Sequence, residues 1–192
     1  PYAISSGTGI RGDDDIVVND LTGNAGFDGK YGLTQGLIAD FTVNTDFAQV
    51  EDDDEQVNLT RFSLFFPEKR EFFLEGQGIF SFGGVSAGRR WSSGGGGGDA
   101  PILFFSRQIG ISGRNSVPIR TGGRVTGRAG AFTLGLLNVQ TGEKTSLEAQ
   151  ATNFSVVRIR RDIFRRSSIG FMGTNRSVSL KGDGSSQSYG VD

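Results

Sequence analysis

The clearest pattern in the sequence is an alternation of apolar and polar residues in two neighbouring stretches of the first third of the chain. Apolar side chains and glycines occupy the odd positions from Ala25 to Leu33, and a second alternating stretch follows from Leu37 to Asp46. A period of two is typical of β-strands that have one apolar and one polar face. We therefore predict strands over 23–34 and 36–47, joined as an antiparallel hairpin.

Similar patterns return in the second half of the chain. They predict further strands at 102–109, 120–129, 131–140, 153–163 and 167–177. The short intervening turns favour antiparallel pairing of neighbours, which gives about seven or eight strands in all. These strands are roughly nine to eleven residues long, against five or six in ordinary soluble sheets, and that length crosses a bilayer at a tilt. The fold class that we predict is therefore all-β, an antiparallel up-and-down β-barrel of the transmembrane type or a fragment of one.

The rest of the chain divides around these strands. We treat residues 1–192 as a single β-barrel region that belongs to a longer polypeptide. Its parts are a loop with a short strand (1–22), the first hairpin and an acidic turn (22–60, with a helical turn around 56–66), a Phe-rich segment and Gly-rich loop (61–100), and further antiparallel strands (101–180).

The Phe-rich segment has the most unusual sequence. Seven of the 16 phenylalanines lie between Phe62 and Phe82, interleaved with charged residues. The pattern fits neither a regular helix nor a strand, and we predict a compact segment that folds into or across the lumen of the barrel. The residues that we expect to anchor it are Phe65, Phe66, Glu68, Arg70, Phe72 and Phe73.

Composition excludes several kinds of chemistry. The chain has no Cys and no His, which removes thiol nucleophiles, disulfides, zinc sites with Cys or His ligands and imidazole acid–base catalysis. The acidic run from Glu51 to Glu55 could hold calcium, but it lacks the spacing of a dedicated calcium loop, and a solvated turn is favoured. We predict no catalytic residues, no cofactor and no metal.

Charge divides between the two halves of the chain. Residues 1–100 carry 16 acidic and 7 basic side chains, whereas residues 101–192 carry 5 acidic and 13 basic. The arginines lie within strand patterns rather than in a basic tail, which disfavours nucleic acid as a partner. Arg120, Arg124 and Arg128 share one predicted strand face. They either line a pore that selects anions or hold the acidic segment in place. Arg158 and Arg160 form a second basic face.

Three stretches carry a resemblance to a known family. The first runs from Val43 through Gln49-Val50-Glu51 to Arg61-Phe62, the second is Phe65-Phe66-Pro67-Glu68-Lys69-Arg70-Glu71-Phe72-Phe73-Leu74-Glu75-Gly76, and the third is Leu103-Phe104-Phe105-Ser106-Arg107-Gln108-Ile109-Gly110. Together with the strands around Leu136 and Val156, they resemble a family of bacterial envelope proteins across about residues 22–180. Members of that family carry a carbohydrate-binding family-nine-like domain, followed by a long region of unknown function that is expected to form an outer-membrane β-barrel. The resemblance implies no catalytic residues.

Pattern and resemblance lead to one expectation and two alternatives. We expect a bacterial outer-membrane barrel that binds or passes a solute, for which the resemblance suggests a small glycan, and whose partners are membrane lipid and the remainder of the barrel or other chains. Leu37, Phe41, Val43, Phe132 and Leu134 would face lipid, and Asp40, Asn44, Arg120, Arg124 and Arg128 would face the lumen and the solute. The alternatives are a soluble all-β carbohydrate-binding module and a glycoside hydrolase that uses carboxylates such as Glu68 and Glu71.

Overall fold

The fold is dominated by one antiparallel sheet with very little helix, which confirms the all-β prediction. The protein is described by a computed structural model. The residues that it describes are 1–11, 17–45, 68–84, 101–112, 115–164, 167–179 and 184–192.

Eight strands form this sheet in the described part of the chain, and a small hairpin lies apart from it. The eight are β1 (Tyr2–Arg11), β2 (Val17–Gly32), β3 (Leu37–Thr45), β6 (Ile119–Ala129), β7 (Phe132–Thr141), β8 (Asn153–Phe164), β9 (Ser167–Arg176) and β10 (Ser186–Val191). The hairpin is β4 (Ile111–Ser112) with β5 (Asn115–Ser116). Neighbours in the large sheet follow the order β1-β2-β3-β6-β7-β8-β9-β10, so the sheet is an up-and-down meander.

Most of the predicted strands are confirmed, and two regions differ. The opening hairpin and the strands at 120–129, 131–140, 153–163 and 167–177 form with small shifts at their ends. The prediction for 1–22 was too sparse, because β1 and the first residues of β2 pair there along ten positions. The strand predicted at 102–109 was wrong: 101–105 has no regular structure and Ser106–Gln108 form a 3₁₀ turn. The helical turn predicted near 56–66 and the acidic run Glu51–Glu55 lie outside the described residues.

Register gives the sheet two distinct faces. Asp40 of β3 pairs with Arg124 of β6. Arg124 also pairs with Leu137 of β7, and Leu137 pairs with Val156 of β8. These side chains share the face that we call the inner face, and it is mostly buried. Residues one position along the strands, such as Phe41, Leu136 and Val157, share the opposite, outer face, because successive side chains of a strand point to opposite sides.

The core lies between the inner face and the residues that cover it. Eight hydrophobic side chains form it, three from the connection between β3 and β6, which covers the inner face, and five from β6 to β9: Phe73, Phe80, Ile109, Ile119, Leu137, Val139, Val156 and Met172. In the described part of the chain, the core therefore lies on the inner side of the sheet.

The connections between strands alternate in length. Four residues join β2 to β3, and two residues each join β6 to β7 and β8 to β9. At the opposite end of the sheet lie the connections 12–16, 46–118, 142–152 and 177–185. No helix in the described part of the chain has the length and apolar character needed to cross a membrane.

Candidate functional site: the inner face and the segment that crosses it

Residues 68–84, which we call the crossing segment, run across the inner face at an angle to the strands. One α-helical turn, α1 (Glu71–Leu74), is followed by Gly76 in the left-handed region (φ 69°) and by a 3₁₀ turn, Gln77–Phe80. A left-handed φ is readily adopted by glycine alone, and here it separates the two turns. The prediction of a compact segment that is neither a regular helix nor a strand agrees with this course.

Glycines on the inner face provide the space for the aromatic rings of this segment. A Cβ atom on Gly122 of β6 would lie 3.2 Å from the ring of Phe72. A Cβ atom on Gly135 of β7 would lie 3.0 Å from the ring of Phe80, and one on Gly190 of β10 would lie 2.7 Å from the ring of Phe82. The segment thus crosses from β6 to β10 over a row of residues that have no side chain. Glycine weakens a strand, so repeated glycines on one face are best explained by these close approaches.

Arg124 fixes the first end of the crossing segment. Its guanidinium donates through Nε and Nη2 to Oδ2 of Asp40 at 3.1 and 2.6 Å. It also donates through Nη1 to the carbonyl oxygen of Phe72 at 2.5 Å and to that of Glu75. The side chain of Glu75 accepts from Arg124 at 3.3 Å and from Lys30 of β2. The hydrogen bond from Lys30 lowers the pKa of Glu75, so this carboxyl stays ionised.

Glu68 and Arg70 form a second buried anchor. Arg70 donates to Glu68 through Nε at 2.7 Å and Nη2 at 2.8 Å, and to the carbonyl oxygens of Ile109 and Ser106 at 2.5 and 2.8 Å. The hydroxyl of Ser106 donates to Glu68 at 2.7 Å. Burial by itself raises the pKa of Glu68, but the hydrogen bonds and the charge of Arg70 outweigh it and hold that pKa below its usual value. This anchor joins the crossing segment to residues 106–109.

Asp192 fixes the far end of the segment. Its carboxylate accepts two hydrogen bonds from Arg158 of β8, at 2.5 and 2.8 Å, and one from the backbone N–H of Gly83 at 2.8 Å. The pair lies over Gly170 of β9, where a Cβ atom would come within 2.5 Å of both side chains. The crossing segment is therefore held by ion pairs at both ends and by aromatic rings between them.

The predicted inward-facing residues separate into two groups. Asp40 and Arg124 lie together and are buried, at 5% and 3% exposure. Asn44, the last residue but one of β3, has a left-handed φ of 50°, and its side chain donates to the carbonyl oxygen of Ala25. Arg128 is exposed and pairs with Asp162 of β8 at 2.6 Å. Arg120 does not share the face of Arg124, because the register shifts between Ile119 and Thr121 and leaves Arg120 as the extra, exposed residue.

The predicted anchors of the Phe-rich segment also separate. Phe72 and Phe73 pack edge to face with their ring centroids 5.1 Å apart, under the guanidinium groups of Arg124 and Arg70. Glu68 and Arg70 form the buried anchor described above. Phe65 and Phe66 lie outside the described residues.

Sequence reasoning did not identify the glycines that make room for the aromatic rings, and it did not identify Arg176 or Asp192. Gly122, Gly135 and Gly190 share one face of their strands, so glycines spaced at inner-face positions opposite a Phe-rich segment were the available signal. Arg176 lies at the end of β9, with its guanidinium over the ring of Phe154. Asp192 follows the last strand, where no pattern indicated a contact with residue 83.

Little space remains between the crossing segment and the sheet. A cleft of about 30 Å³ lies there and is lined chiefly by aromatic rings, with room for one or two water molecules. Within the described residues, no group of three or more acidic side chains is placed to hold a metal ion. The arrangement is suited to holding a segment in place and to presenting charge.

Comparison with known proteins gives one match. A family model described as a domain of unknown function, DUF5916, matches residues 6–185. No curated protein and no solved structure shows significant similarity to the chain.

Proposed function

Since the chain belongs to the DUF5916 family, a family without an assigned function, we propose that it forms part of a bacterial outer-membrane β-barrel whose lumen is narrowed by the crossing segment. The barrel binds or passes a solute and performs no catalysis. Its apolar outer face contacts lipid, and its inner face contacts the solute.

The observation that carries this proposal is the distribution of exposed apolar side chains. Large hydrophobic residues with 40% to 78% exposure share the outer face along five strands. They are Phe27, Tyr31, Phe41, Val43, Phe132, Leu136, Phe171, Tyr189 and Val191. A soluble monomer rarely exposes so continuous an apolar surface, because each large side chain gains free energy when it leaves water. In a bilayer these side chains contact lipid and not water, so the outer face needs no further cover.

The charged residues of the inner face support the same proposal. It carries Asp40, Arg124 and Arg158, all buried, and each is paired. A soluble sandwich would bury its large apolar residues, whereas this sheet buries charged residues beside its core and leaves aromatic side chains exposed on the outer face. Transmembrane barrels alternate in this sense, with apolar residues facing out and polar residues facing in.

Strand length and connection length fit a barrel as well. β6, β7, β8 and β9 contain 11, 10, 12 and 10 residues, close to the nine to eleven that span a bilayer. Outer-membrane barrels have short turns on the periplasmic side and longer loops outside. On that basis the end of the sheet with the turns at 33–36 and 130–131 faces the periplasm. The crossing segment then belongs to an external loop that folds into the lumen.

The two alternatives have less support. A soluble carbohydrate-binding module would have to cover the outer face in some other way, and in the described part of the chain that face is open to solvent. A hydrolase based on Glu68 would need a free carboxylate, whereas both Glu68 oxygens accept hydrogen bonds from Arg70 and Ser106.

The full-length native protein provides the test. We expect it in the outer-membrane fraction, and we expect its migration on a gel in mild detergent to shift on boiling. Recovery from the aqueous fraction without a shift would overturn the membrane proposal. Glycan-binding screens would follow in that case, since they address the soluble alternative directly.

A further inference from the structure

The arginines of the inner face differ in whether the protein neutralises them. Arg124 is occupied by Asp40 and Glu75, Arg128 by Asp162, and Arg158 by Asp192. Arg160 of β8 and Arg176 of β9 have no acidic side chain within 4 Å and no hydrogen-bond acceptor in the described part of the chain. Their Nε atoms, like that of Arg158, are buried without an acceptor. The charge of Asp192 also acts on Arg160, but without a hydrogen bond or an ion pair within 4 Å.

Register places these two arginines in line with Arg158. Arg160 lies two residues after Arg158 on the same face of β8, which separates them by about 7 Å. Arg176 pairs with Phe154, four residues before Arg158, which adds about 14 Å. Arg158 and Arg160 therefore lie side by side on the inner face of β8, and Arg176 lies about 20 Å from Arg160 on the same face, beyond the buried core residues Val156 and Met172. Among the described residues, Asp192 is the one acid that contacts these arginines, and it is bonded to Arg158.

We propose that Arg158, Arg160 and Arg176 form an anion-binding track, which makes the solute of this barrel an oxyanion that carries carboxylate, sulfate or phosphate groups. This inference rests on the proposed function, because it needs the inner face to line a lumen. It changes the sequence-based hypothesis of anion selection. Arg124 and Arg128 already have acidic partners, and among the described residues the arginines without one lie two to three strands away.

The chemistry of the guanidinium group supports this choice of solute. A guanidinium remains charged at all working pH values and presents planar pairs of N–H donors, which match the two oxygens of a carboxylate or phosphate. A buried polar donor without an acceptor is costly, so these groups favour a ligand that supplies one. Arg160 and Arg176 are half-buried, which keeps part of each side chain accessible from the lumen.

The test uses full-length protein in planar lipid bilayers, with a potassium chloride gradient to give the ratio of anion to cation permeability. We expect a preference for anions, and we expect Arg160→Gln and Arg176→Gln each to lower the ratio about two- to fivefold at low salt. Arg160→Lys keeps the charge and should keep the preference. Arg161→Gln is the matched control, because the neighbouring Arg161 lies on the outer face beside Phe132.

A second readout covers a barrel that stays closed in bilayers. Binding of inorganic phosphate to the folded, heat-modifiable protein should weaken in Arg160→Gln and stay unchanged in Arg161→Gln. A cation preference, equal effects of the two variants, or neither conductance nor phosphate binding in a heat-modifiable protein would overturn the track alone. Absence of heat-modifiable migration and of membrane recovery would overturn the proposed function, and the track with it.

Discussion

Arg124 of β6 lies directly opposite Asp40 of β3, and the two side chains are joined at 2.6 Å between Nη2 and Oδ2. Both are almost completely buried. The same guanidinium donates to the backbone carbonyls of Phe72 and Glu75, so this single ion pair joins two strands of the sheet to the segment that crosses it. The pair therefore explains how an irregular segment acquires a fixed position.

Arg124→Gln should release the first end of the crossing segment. Removing Arg124 leaves only Lys30, 3.8 Å away and half-exposed, to compensate the buried charge of Asp40. We expect a loss of about 3 kcal/mol in the free energy of unfolding, the lower end of the range for a broken buried pair. The measurement is urea unfolding of the full-length protein together with protease cleavage within residues 68–84. The double variant Asp40→Asn with Arg124→Gln should recover part of the loss. If the two single losses simply add, the pair is not coupled as the geometry indicates.

Gly122→Ala should disturb the packing of the Phe72 ring against β6. The new Cβ would lie 2.7 Å from Cγ2 of Thr42 and 3.2 Å from the Phe72 ring. Overpacking of this kind costs about 1–3 kcal/mol. Gly123→Ala is the matched control, because its Cβ would point to the outer face, where the nearest contact is 3.8 Å from the Phe41 ring. Equal unfolding free energies for the two variants would contradict the close packing of Phe72 against Gly122.

The anchor formed by Glu68 and Arg70 should weaken in acid. The folded state holds the pKa of Glu68 below its ordinary value of 4.5, so its contribution to stability is complete above that unfolded value. It is lost as the pH falls through the lower, folded value. We expect cleavage of the crossing segment to rise below about pH 4.5 in the native protein. In Glu68→Gln the segment should be cleaved more readily at neutral pH, and the step in acid should shrink. A step of unchanged size in this variant would exclude Glu68 as its source.

A substitution that places a charge on the outer face should have different effects on stability in a bilayer and in water. In a bilayer, Leu136→Arg, near the middle of β7, should cost about 2–4 kcal/mol, whereas Phe164→Arg, at the end of β8, should cost about 0–1. In water both side chains are already exposed, and neither change should matter much. Folding yield into lipid vesicles, followed by heat-modifiable migration, measures the difference. Similar yields for the two variants would contradict a lipid contact at Leu136.

The local alternation in the sequence determined the strands and their two faces. From Leu37 to Val43 and from Phe132 to Leu136 apolar residues recur at every second position, and the strands form where they are predicted. Short turns between such strands leave antiparallel neighbours as the simplest pairing, so the meander followed as well. Phe72, Phe73, Glu68 and Arg70 were predicted as anchors from composition alone, since aromatic and charged residues are rarely interleaved in this way without a packing reason.

Only the tertiary structure decided which charges meet. Asp40 and Arg124 are 84 residues apart and Gly83 and Asp192 are 109 apart, and no local pattern encodes such pairs. A register shift of one residue at Ile119 removed Arg120 from a face that the sequence pattern assigned to it. Among the described residues Asp192 pairs with Arg158 and not with Arg160, a distinction that two arginines on one strand face do not reveal. The period of two is a property of the local sequence, whereas the neutralisation of a charge depends on which distant segment packs beside it.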